Sequence, residues 1–200
     1  MSSEIYIRKR KIEEYGYVLY YSNEERYIKI RRYDGTIKEI RIVGLIGQIL
    51  GEFCFTLMEF QLNRQAIINE LERIYIGKGP RTKVIRFIRY ISYDDLSYRA
   101  KENLPKAIEK AVIINEDYWV NFFNKAGPLT MRMHTLELLK NIGKKTVLKI
   151  IEEREKEPFK SFEDIRNRIN IDPVKVIVDR VLEELREKKS YYLFICPAHS

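Results

Sequence analysis

Leu138-Leu139-Lys140-Asn141-Ile142-Gly143-Lys144-Lys145-Thr146 is the segment whose residue types and spacing point most directly to a chemistry. A helix that opens at Gly143 leaves the amides of Gly143, Lys144 and Lys145 without intrahelical acceptors. Such a terminus attracts an anion through its donors and its dipole together. Glycine lets a ligand come close to the backbone, Ile142 is placed to plug between the flanking helices, and Lys149 adds charge one turn later. Asn141, Ile142, Gly143, Lys144, Lys145, Thr146 and Lys149 form the first candidate binding set. A backbone phosphate fits it, and no side chain is placed to read a base edge, so binding is expected to be largely independent of sequence.

A second set lies between Arg73 and Tyr93, where six basic residues occur without a single acid. Lys78, Arg81, Lys83, Arg86 and Arg89 alternate there with Tyr75, Phe87, Tyr90 and Tyr93. Cations that follow phosphates beside aromatic faces that stack on bases suit a single-stranded nucleic acid. The alternative, a solvated basic face over aromatics that fill the core, needs no ligand. Tyr90 and Tyr93 are three apart and cannot share a face of a regular strand, so at most a subset of the rings stacks.

These sets need elements to hold them. The front of the chain reads as β. Tyr17–Tyr21 and Tyr27–Arg32 are short strands, Asp34-Gly35 a turn, and Thr36–Val43 a strand nearer to period 2 than to 3.6. Gly44, Gly47 and Gly51 loosen the connection to a strand over Phe53–Leu62. Arg73–Ile76, the turn Gly77-Lys78-Gly79-Pro80 and Thr82–Ile91 make a hairpin. Residues 1–92 are therefore expected to form a small OB-like β-barrel.

Residues 93–131 read as a helical connector, with a helix opening at Leu104-Pro105 and another over Tyr118–Lys125 that stops at Gly127-Pro128. Residues 132–189 read as a helix-hairpin-helix domain. Its helices are Arg132–Lys140, Lys144–Glu157, a third opened by a Ser161–Asp164 capping box, and a fourth capped by Asp172 with Pro173 first. Residues 190–200 supply a terminal strand, Tyr191–Ile195, that could return to the barrel, and a tail. The expected fold class is α+β.

The charge distribution fits a polyanionic partner. The 200 residues carry 37 basic against 29 acidic side chains, a net of +8 with a pI near 9.3, and the first 92 hold 17 and 11 of them. Isoleucine, at 28 residues, outnumbers leucine at 16, a bias that with abundant Lys, Arg and Glu suggests a thermophile. The longest weakly polar run, Ile42–Gly51, is too short to span a bilayer. Arg8-Lys9-Arg10-Lys11 followed by Glu13-Glu14 is not a secretory signal. Two cysteines are too few for a disulfide framework or a four-ligand zinc site, so the cytoplasm is the expected location.

The turn at 138–146 resembles the helix-hairpin-helix motif, and residues 132–187 resemble its tandem form. Asn141 replaces the usual first glycine, which asparagine can do because it tolerates the left-handed conformation. The second copy, Asn170-Ile171-Asp172-Pro173-Val174-Lys175, has no glycine and an acid at its helix start, so it is expected to pack rather than bind. Arg73–Gly79, Arg89–Leu96, Phe122–Ala126, the hairpin block and Lys189–Phe194 follow in an order that resembles an archaeal domain-of-unknown-function family. That family is described only as predicted RNA- or nucleotide-binding proteins. The resemblance spans about residues 15–195, implies the barrel-plus-hairpin fold, and brings no catalytic residues.

Other constellations carry less. Cys196-Pro197-Ala198-His199 supplies two ligands, which is not a metal site, and Cys54 between Phe53 and Phe55 reads as a buried thiol. His134, just before the hairpin, could touch a phosphate but reads first as a surface or helix-packing residue, and two histidines support no Ser-His-Asp set. Gly77-Lys78-Gly79 lacks the ending and the helix of a P-loop. Asp164 lies 21 residues after Gly143, a spacing some base-excision glycosylases use, but the capping box accounts for it. No enzyme activity, cofactor, metal or membrane partner is expected. The expected function is non-enzymatic nucleic-acid binding, with RNA favoured over DNA. The alternatives are a DNA repair or recombination accessory and an adaptor that docks on a larger protein complex.

Overall fold

The computed structural model describes residues 13–31 and 35–196. Arg8–Lys11, Arg32, Asp34 and Pro197-Ala198-His199, invoked above, lie outside the described residues. The chain divides into two compact units, essentially residues 10–107 and 108–199. The division falls inside a helix, α1 (Tyr98–Ile114).

The first unit holds a five-stranded antiparallel sheet: β1 (Tyr15–Arg31), β2 (Ile37–Gly51), β3 (Leu57–Leu62), β4 (Arg73–Tyr75) and β5 (Val84–Tyr90). Their order is β4-β1-β2-β3-β5. The expected barrel is not closed, because among the described residues β4 and β5 end the sheet at opposite edges without pairing. For the same reason Arg73–Ile76 and Thr82–Ile91 are not a hairpin: β4 joins the start of β1 and β5 joins β3.

The two strands expected over residues 17–32 are one. The polar stretch Ser22–Arg26 stays in register against Ile46, Leu45, Gly44, Val43 and Ile42, and cross-strand charge pairs such as Arg41 with Glu25 support it. The glycines expected to loosen a connection lie inside β2. At Gly47 a side chain would collide with Leu62, whose Cδ1 would be 2.6 Å from the added carbon. Val18, Ile49, Met58, Phe60, Leu62, Ile74, Ile76 and Val84 form the core on one face of the sheet. Ile28, Ile42, Ile46 and Ile88 cluster on the other. The thiol expected at Cys54 is not free.

Helix α1 begins at Tyr98, earlier than Pro105 suggested. The Ser97 hydroxyl accepts the Ala100 N–H, 3.1 Å away, and Pro105 is tolerated inside the helix at the loss of one backbone donor.

The second unit contains α2 (Glu116–Lys125), a short ladder of β6 (Pro128–Thr130) with β7 (Met133–His134), a 3-10 turn (Thr135–Leu138), α3 (Lys144–Lys156), α4 (Phe162–Ile169) and α5 (Pro173–Arg186). The helix expected over 132–140 is thus only the 3-10 turn. His134 is extended and caps that turn, accepting the Leu136 N–H through Nδ1 while Glu137 accepts the His134 N–H. Helical residues therefore cannot begin earlier. Ser161 and Asp172 cap α4 and α5 as their types predict, although Asp164 accepts from Lys160 rather than from the cap itself.

Tyr191–Ile195 is not a strand. Glu184, nearly fully buried, accepts the backbone N–H groups of Leu193, Phe194 and Ile195. Phe194 packs edge-on against Trp119 and Phe122, with ring centroids 4.9 and 5.2 Å apart. A carboxylate that takes up three amides does here what a ladder would otherwise do.

Candidate nucleic-acid interface

The turn before α3 is built from both sides. Leu136, Leu139, Ile142, Val147 and Ile150 are buried, so Ile142 is the plug its position suggested. Asn141 adopts φ 63, the left-handed conformation. The guanidinium of Arg180 donates to the carbonyls of Leu138 and Tyr191 and to Glu184, at 3.2, 2.6 and 2.7 Å. One buried cation thereby ties the end of the 3-10 turn to the terminal segment.

Gly143 is the N-cap of α3 and is extended, at φ −92, with no side chain closing the terminus. No acid lies in the first turn of α3. No atom would lie within 4 Å of a side chain added at Gly143, so neither its backbone angle nor its packing requires glycine. Lys140, Asn141, Gly143, Lys144 and Lys145 are exposed and Thr146 is half-buried. Lys140, Lys144 and Lys145 make no ion pair among the described residues. Lys149 is different: its ammonium lies 3.3 Å from the carbonyl of Ile169, at the end of α4.

A shallow depression of about 490 Å³ runs along residues 137–143 and is bordered by Glu137 and Glu183. Both carboxylates are engaged, Glu137 by the His134 N–H and Glu183 by Arg180 and Lys189. Burial, then the charge of Arg154, hold the His134 imidazole below the ordinary value, as befits a ring whose Nδ1 is an acceptor.

In the sheet unit the five cations of the second set separate. Strand β5 carries two bulges, so that Tyr90, Phe87 and Val84, three apart, stand opposite Met58, Phe60 and Leu62, two apart. A bulge inserts one residue and re-aims its neighbours. Phe87 and Tyr90 therefore share a face, with ring centroids 4.9 Å apart, while Arg86 and Arg89 stand opposite Gln61 and Glu59 on the other.

Arg86 donates to Gln61, and Arg89 and Arg26 to the buried Glu59. Burial pushes the Glu59 carboxyl up, but the bonds from Arg89 and Arg26 and their charges outweigh it and hold the group below its usual range. Lys83 pairs with Glu72. Tyr93 leaves the set as well, since Lys101 sits over its ring at 5.1 Å.

Lys78 and Arg81 remain, without an ion pair among the described residues, beside a cleft of about 350 Å³. Phe60, Met58 and Ile76 line it together with Phe87 and Tyr90. The loop that carries the cations is set by Tyr75. Its hydroxyl accepts the Gly79 N–H at 3.0 Å, and a side chain at Gly77 or Gly79 would meet that hydroxyl at 2.6 or 2.9 Å. The two glycines thus serve close approach, and neither has a positive φ. The bulges were the feature that sequence reasoning missed. Their trace is the spacing of Val84, Phe87 and Tyr90, which no regular strand would use.

Among the described residues no cluster of three or more His, Cys, Asp or Glu side chains could hold a metal ion. No helix among them is long and apolar enough to cross a membrane.

Residues 12–196 match the family model described as "Protein of unknown function (DUF655)". The "Uncharacterized protein MJ0038" of Methanocaldococcus jannaschii is 47% identical over 152 residues, covering 75% of this chain and 70% of that protein. The crystal structure of Af1531 from Archaeoglobus fulgidus superposes with a TM-score of 0.77 at 38% identity, over 91% of this chain and 99% of that one.

Proposed function

The chain belongs to DUF655, a family of proteins of unknown function, and from that premise we propose that it is a non-enzymatic, cytoplasmic nucleic-acid-binding protein that grips backbone phosphates largely without regard to sequence. The observation that carries this reading is the start of α3. There a glycine that the fold does not require leaves backbone donors uncapped between exposed Lys140, Lys144 and Lys145. Donors, dipole and cations converge on one point, which is what a phosphate needs and an uncharged partner does not.

In this reading residues 135–156 are a helix-hairpin-helix whose first helix is shortened to one turn. The second turn, around Asn170, is structural, because Asp172 already caps its helix. The sheet is an OB-like barrel left open between β4 and β5. RNA is favoured over DNA on the resemblance to a family described as predicted RNA- or nucleotide-binding proteins, since a grip on phosphates does not by itself separate the two.

Fluorescence anisotropy with single- and double-stranded RNA and DNA of one length, at low and at physiological salt, tests the reading. Binding that weakens steeply as salt rises is expected. A preference for duplex DNA would make the protein a DNA accessory. No binding to any of the four would favour an adaptor that docks on protein.

A further inference from the structure

The cleft in the sheet unit differs in kind from the helix terminus. Its floor is apolar, with Met58, Phe60 and Ile76 buried. Its wall is two rings that remain accessible, Phe87 at 41% and Tyr90 at 49% exposure. Phe60 supports the wall edge-on, 5.5 Å from Phe87. Lys78 and Arg81 stand on the loop that Tyr75 braces.

One of the two bulges in this short edge strand, between Phe87 and Arg89, is what brings those rings together, and a β5 in regular register there would turn one of them away. Glu13, the one acid in the lining, is already committed. Its two oxygens accept from the amides of Phe53, Cys54 and Thr56, so it offers a ligand no ready acceptor.

We infer that this cleft takes one unstacked base of a single-stranded nucleic acid, with the adjoining phosphate on Lys78 and Arg81; the inference rests on the nucleic-acid reading above. An apolar slot with an aromatic wall gains from a flat π-face. At about 350 Å³ it lies at the small end of ligand pockets, roughly 300–1,000 Å³. A duplex keeps its base faces stacked inside and has none to offer. With an apolar floor and an aromatic wall, the slot is expected to accept any base, as stacking sites do.

The test uses the full chain and a short single-stranded oligonucleotide carrying a fluorescent adenine analogue, with a duplex of the same length as control. The analogue's emission is expected to change on binding. Phe87→Ala, and Tyr90→Leu, which keeps apolar cover but removes the ring, are expected to abolish that change. They should weaken single-strand binding by roughly five- to a hundredfold and leave duplex binding as it is. Lys78→Ala is expected to reduce the salt dependence of single-strand binding.

Tight single-strand binding with unchanged emission, and equal affinity in both ring variants, would overturn the cleft and leave the phosphate grip at α3 standing. Binding to duplex alone would overturn it in the same way. Failure to bind either form would end both.

Discussion

Gly143 separates fold from function at a single position. It is extended and has open space where a side chain would go, so Gly143→Asp should close the terminus of α3 with a side-chain acceptor. That is expected to stabilise the protein by about 0.5 kcal/mol while weakening nucleic-acid binding, because the new carboxylate takes the donors a phosphate would use. Thermal unfolding and anisotropy on the same sample check the opposite signs, and loss of both would mean that the glycine is structural.

Glu59 gives the corresponding prediction for pH. Its carboxyl is held below the ordinary value, so its ionised form stabilises the fold above the unfolded-state pKa of about 4.3. That contribution is lost as pH falls through the lower folded-state value. Acid unfolding followed by circular dichroism is expected to be less steep in Glu59→Gln. Two turn residues of the α3 site were readable in the sequence, since Asn141 takes the left-handed conformation and Ile142 is buried in the turn, as their types suggest. The partners of Lys83, Arg86 and Arg89 were not, because they depend on strand register.

At the scale of elements, the terminal segment is the clearest case of tertiary structure overriding local pattern. Tyr191–Ile195 has the composition of a strand, yet Glu184 binds its amides and Phe194 enters an aromatic cluster. Arg180 neutralises that carboxylate and also reaches the Leu138 carbonyl. Arg180→Leu strands a buried charge, a change that costs about 3–5 kcal/mol. It is expected to free residues 191–196 for proteolysis and to loosen the turn before α3; urea unfolding and limited digestion read the two effects.

The helices with strong caps and apolar periodicity, α4 and α5, were legible. The start of α1 and the shortened helix at 135–138 were not, since Ser97 and His134 act as caps through contacts that no periodicity reveals. The same holds for β5, where bulges replace the period of two on which the strand reading relied.

Across the whole molecule the surplus of positive charge, +8, belongs with a polyanion, but net charge alone sets attraction and not a site. Most ion pairs in the structure remove cations from consideration, and Lys78, Arg81, Lys140, Lys144 and Lys145 are among those left for a ligand. The central claim is that cations and amides at the start of α3 hold phosphate.

The salt dependence of binding by the wild type and Lys144→Ala, measured with one single-stranded RNA of mixed sequence and one of a single base, tests that claim most directly. The account predicts that the substitution lowers the slope of log affinity against log salt by about 1, equally for both RNAs. An unchanged slope, or an effect confined to one sequence, would contradict it.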